Sequence, residues 1–114
     1  MKTANLLENV NYKEEKPMIN VLFETQFTKE IRIVMKEGQV MNKHQTPFAI
    51  VVEIVDGKID FGVQGEVLNL ERGALLALEG DVPHDLRALE DSIVRLTLTK
   101  SDKSKRVQNV IDES

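Results

Sequence analysis

The sequence predicts an all-β domain, a sandwich or barrel of short antiparallel strands. Three observations carry that expectation. Several short segments alternate apolar and polar residues, the signature of strands with one wet face. Glycine-bearing turn signals separate them at intervals of about 8–12 residues. No stretch beyond one or two turns carries a 3.6-residue apolar repeat, so helices are expected to be short or missing.

The elements follow in chain order. A first strand is placed around Ile19 to Phe23. In the next, Ile31, Ile33 and Met35 alternate with Arg32, Val34 and Lys36, and Glu37-Gly38 breaks it. Asp56-Gly57, between Ile54-Val55 and Lys58-Ile59, is the strongest short hairpin signal in the chain, because a type I′ turn needs positive φ at both central residues. Ile59, Phe61 and Val63 then alternate with Asp60, Gly62 and Gln64, and Gln64-Gly65 turns the next corner. Glu71-Arg72-Gly73, Glu79-Gly80-Asp81 and Glu90-Asp91 supply further turns, and Val94, Leu96 and Leu98 alternate with Arg95, Thr97 and Thr99. Two segments, Phe48 to Val52 and Ala74 to Leu78, are apolar on both faces. They call for a second cover, either the N-terminal strand or a partner subunit, and the small size of the barrel favours association. A homodimer is expected on those grounds. The division expected is an N-terminal segment with an edge strand at the dimer interface (1–28), a barrel (29–100) and a charged C-terminal tail (101–114). In that tail Val107, Val110 and Ile111 lie at the spacing of one helical turn's apolar face.

At 114 residues the chain makes one domain. It carries 19 acidic and 15 basic residues, a net charge of -4, which argues against nucleic acid as a general partner. The tail from Lys100 onward is only weakly basic and reads as solvated. Glu8 and Asn9 interrupt the one N-terminal apolar stretch early, and no apolar run approaches the roughly 20 residues that cross a bilayer. A cytoplasmic protein with no membrane partner is expected. Zero cysteines exclude disulfides, thiolate catalysis and iron–sulfur clusters. That leaves two histidines, His44 and His84, as near-neutral bases or soft ligands.

The surroundings of these histidines carry a resemblance. One stretch reads Gly38-x5-His44-x-Thr46-x3-Ile50-x6-Gly57, and a second reads Gly73-x5-Glu79-x-Asp81-x2-His84-x3-Ala88. Together they resemble the two motifs of the cupin superfamily, G-x5-H-x-H-x3,4-E-x6-G and G-x5-P-x-G-x2-H-x3-N. The likeness extends from about Glu30 to Leu98 and implies a double-stranded β-helix, a jelly-roll barrel of the RmlC-like kind. It also implies that His44 and His84 converge in the interior. The four metal-holding positions of the family are two histidines and a glutamate in the first motif and a histidine in the second. Here Thr46 stands for a histidine and Ile50 for the glutamate. Two imidazoles and a hydroxyl fall short of the three or four ligands a transition metal takes.

The expected function is therefore a small-molecule-binding cupin, whose pocket is lined by His44, Thr46, Ile50, Val52, His84 and Leu96, with no tightly held metal and no other cofactor. The alternative is a metal-dependent cupin enzyme of the dioxygenase, isomerase or decarboxylase type, with a divalent transition metal at His44 and His84. A weaker reading is metal-free acid–base catalysis, which the resemblance to sugar-nucleotide epimerases of the superfamily implies. Asp81 and Asp85 flank His84, and one of them is a candidate to orient its ring. Phe48 and Phe61 are expected to fill the interior, Met41 to pack at the core or rim, and Glu53 to lie on the outer face.

Overall fold

A computed structural model describes residues 1–100; Val107, Val110 and Ile111 lie outside the described residues. Nine strands form two antiparallel sheets: β1 (Met18–Glu24), β2 (Thr28–Met35), β3 (Val40–His44), β4 (Ile50–Asp56), β5 (Lys58–Val63), β6 (Glu66–Glu71), β7 (Leu75–Leu78), β8 (His84–Ala88) and β9 (Ser92–Thr99). The first sheet has the order β1-β2-β9-β4-β7 and the second β3-β8-β5-β6. Among the described residues there is no helix, and so none long and apolar enough to cross a membrane.

The alternating positions supply the inner faces. Ile31, Ile33 and Met35 of β2, Ile50, Val52 and Ile54 of β4 and Val94 of β9 face Ile59, Phe61, Leu86 and Ala88 across the sandwich, in one buried cluster. This is what period-two patterning demands of two sheets stacked face to face.

The two glycine turns exchange roles. At Asp56-Gly57 the chain does not make a hairpin. β4 belongs to one sheet and β5 to the other, and Gly57 alone stands between them at the corner. Gly57 has φ 92°, whereas Asp56 is not among the positive-φ residues, so the type I′ condition fails. The backbone also passes hard against the β8–β9 turn. A Cβ on Gly57 would collide with the Ser92 side chain and lie 2.6 Å from the Asp91 carbonyl oxygen. Ser92 is fully buried there; its hydroxyl accepts from Lys58 N at 3.1 Å and donates to the Glu90 carbonyl at 2.7 Å. The hairpin with both central residues left-handed is Gln64-Gly65, at φ 51° and 76°, closing Val63 onto Glu66.

The second cover also differs from expectation. β1 adds to the edge of the first sheet by pairing with β2, rather than lying over it. The segment before β1 does the covering. Arg32, on the outer face of β2, is only 5% exposed and donates to the main-chain carbonyls of Leu6, Glu8 and Asn9 at 2.7–3.2 Å and to Asn20 Oδ1. Further along, Lys13 O accepts from Gln39 Nε2, and Glu14 pairs with Lys36. Val34 and Ile93, neighbours across β2 and β9, are buried as well. On β4 and β7 the outer face stays open, with Leu75 65% exposed.

Candidate functional site

His44 ends β3 and His84 begins β8, and the two are direct cross-strand partners. Opposite pairs stand about 4.5–5.5 Å apart at Cβ, so rings on one face must touch. A bulge makes that possible. Between Met41 and His44 strand β3 has one residue more than β8 has between Leu86 and His84, a register shift that restores the inward face to His44 after Met41 has already used it. Plain alternation from Met41 would have sent the imidazole to solvent.

The ring centroids of His44 and His84 are 4.4 Å apart and tilted by 58°. On its other side His84 lies parallel to Phe61, with centroids 5.6 Å apart and 8° between the planes. Each imidazole is oriented by its own main chain: His44 Nδ1 meets the Asn42 carbonyl at 2.8 Å, and His84 Nδ1 the Val82 carbonyl at 2.9 Å. A carbonyl oxygen only accepts, so Nδ1 carries the proton in both rings and Nε2 of the neutral ring offers a lone pair. The orienting group is thus a backbone carbonyl in each case; neither Asp81 nor Asp85 holds the His84 ring. His84 is 2% exposed. Burial pushes its pKa below the ordinary imidazole value, and the neighbouring His44 pushes the same way, against the Val82 carbonyl and Asp85.

Around the pair lies a cavity of about 10 Å³, lined by Ile33, Met41, Val52, Phe61, Leu86, Val94 and Leu96 besides the histidines. It has room for one water molecule. Among the described residues Arg95 Nε is the single enclosed side-chain polar atom without a hydrogen bond. His84 Nε2, which has no protein partner, therefore opens onto the cavity rather than being sealed in protein.

Of the sequence-predicted pocket residues, the structure brings together His44, Val52, His84 and Leu96. Thr46 and Ile50 do not line the cavity. β3 stops at His44, so Thr46 sits in the following loop; its hydroxyl donates to the Phe48 carbonyl at 3.0 Å and its own carbonyl accepts from Asp81 N at 2.7 Å. Ile50 is buried in the core at the first position of β4, opposite Leu78 and Leu98, one repeat of the pleat before Val52. Phe48 does not fill the interior either; it lies in the loop before β4 and is 38% exposed. Glu53 lies on the outer face, 3.3 Å from Arg95 Nε. Residue spacing gave no sign that Ile33, Leu86 and Val94 wall the cavity. Their inward alternation was readable, but their adjacency to the rings depends on strand order.

No protein-family model and no curated protein matches the chain. Solved structures do. An RmlC-like cupin protein from Desulfovibrio desulfuricans superposes with a TM-score of 0.80 at 27% identity, covering 87% of this chain and 96% of its own. The chain has the cupin fold. A cupin superfamily protein from Desulfitobacterium hafniense matches with a TM-score of 0.75 at 9% identity, over 81% of this chain and 84% of that one. KdgF from Halomonas sp. does so at 0.72 and 20% identity, over 81% and 87%. The two sheets correspond to the jelly-roll halves of that fold.

The metal implied by the cupin resemblance can be tested against the donors present. Among the described residues no group of three or more His, Asp or Glu side chains is placed to hold an ion. The two imidazoles stand alone, with an isoleucine in the core and a threonine committed to its own loop at the family's other two ligand positions. This donor set does not fit a resident transition metal, which takes three or four protein ligands.

Proposed function

We propose that this cupin binds a small molecule in its barrel interior, at His44 and His84, without a tightly held metal. The observation that carries the reading is the convergence of two imidazoles, each locked by its main chain with Nε2 unengaged, inside an otherwise apolar enclosure. Ligand sites are mostly apolar concavities with a few convergent polar groups. The cavity is small, so a ligand larger than water enters by displacing a wall. Met41, half-buried at the rim and flexible, is the wall that yields most cheaply. The open outer face of β4 and β7, with Leu75, supports assembly as a homodimer as part of the same proposal.

Two measurements test the reading. Metal analysis of protein purified without added metal is expected to find far less than one ion per chain, and chelators are expected to leave the melting temperature unchanged. A thermal-shift screen of small polar metabolites is expected to find a stabilising ligand; at a hundredfold excess over Kd it adds about 2.7 kcal/mol. Roughly one iron, zinc, nickel or manganese per chain would overturn the metal-free reading and favour the metal-dependent enzyme instead.

A further inference from the structure

We infer that the interior selects an uncharged hydrogen-bond donor, best a primary carboxamide or urea-type NH2 group, and rejects small anions; this rests on the binding reading above. The polarity of the site follows from its main chain. Both Nδ1 atoms are used as donors, to Asn42 O and Val82 O, so the polar groups left facing the cavity are two acceptors. Every other lining residue is aliphatic, aromatic or a thioether. A carboxylate or phosphate oxygen would set its lone pairs against two more lone pairs and lose its hydration with no cation to replace it. An ammonium group would find acceptors but no counter-charge, since no lining residue is acidic. An uncharged NH2 group presents two donors from one atom to two neighbouring acceptors, rings whose centroids are 4.4 Å apart. That one atom also matches a cavity with room for one water. The rest of such a ligand leads outward past half-buried His44 and Met41.

The test is NMR on isotope-labelled full-length protein at pH 8. Long-range proton–nitrogen spectra are expected to show the proton on Nδ1 of both imidazoles. Titration with formamide and acetamide is expected to move both Nε2 resonances saturably, while formate and acetate at equal concentration leave them in place. In His44→Phe, which keeps an aromatic ring and removes one acceptor, amide affinity is expected to fall about 3- to 10-fold, the worth of one hydrogen bond. A proton on Nε2 of either ring overturns the inference whether or not the variant folds. Acetate acting as strongly as acetamide overturns the ligand class and leaves the binding reading intact. If no probe, neutral or anionic, moves the rings, the inference fails, while the binding reading stands or falls with the thermal-shift screen.

Discussion

Replacing Gly57 by alanine isolates the energy of the corner where the chain changes sheets. Two penalties add. The first is the positive φ of 92°, which in an L-residue costs about 1–2 kcal/mol. The second is steric: the new methyl group would lie 2.6 Å from the Asp91 carbonyl oxygen and 2.7 Å from Ser92 Cα, backbone atoms that cannot swing aside. Overpacking of this kind costs about 1–3 kcal/mol. The sum, about 2–5 kcal/mol, corresponds to a fall in Tm of at least about 8 °C for a domain near this size. Gly65→Ala is the control. Its φ is also positive, at 76°, but nothing lies within 4 Å of its Cβ position, so only the conformational penalty of about 1–2 kcal/mol and a correspondingly smaller fall in Tm is expected. Thermal unfolding followed by circular dichroism measures both. If Gly57→Ala melts no lower than Gly65→Ala, the close approach at the corner is not real.

Three further outcomes are expected. Phe61→Ala removes a fully buried ring stacked on His84 and should cost about 3–5 kcal/mol in urea unfolding. Arg32→Met keeps an apolar stem but loses the donors to Leu6, Glu8 and Asn9; each charge-assisted bond contributes about 1.5–3 kcal/mol, so trypsin should cleave after Lys13 at least about tenfold faster while amide exchange in the sheets stays unchanged. Because burial depresses the folded-state pKa of His84, the fold disfavours its protonation; stability should be full above the unfolded imidazole value of about 6.5 and decline as pH falls from there toward the folded value. Denaturant titrations between pH 8 and 5 check this, and His84→Phe should flatten the dependence.

The inward alternation of Ile33, Phe61 and Val94 was readable because a strand buried on one face must repeat every second residue. Outward positions were less legible. Arg32 reads as a wet-face residue, yet it is buried, because the strap over it comes from a segment with no periodic pattern of its own. Asp56-Gly57 outranks Gln64-Gly65 as a hairpin signal, yet the weaker pair forms the hairpin. Turn chemistry reports the backbone angles a dipeptide tolerates and is blind to which sheet receives the next strand. At the candidate site the motif spacing located both histidines, but His44 faces inward only through a bulge that alternation cannot anticipate. Thr46 and Ile50 were carried to the pocket by motif position alone, and the end of β3 and the pleat of β4 take them elsewhere.

The place of β9 bears on how the protein is made. It lies in the middle of the first sheet, between β2 and β4, with Thr99 opposite Thr28. On a ribosome, β2 and β4 would emerge early and wait for the strand that joins them, their apolar rows unprotected. Pairings so distant along the chain are slow to form and leave an interval open to aggregation. A nascent chain halted before Ser92 should accordingly stay protease-sensitive and bound to chaperones, whereas one long enough for β9 to clear the exit tunnel should not.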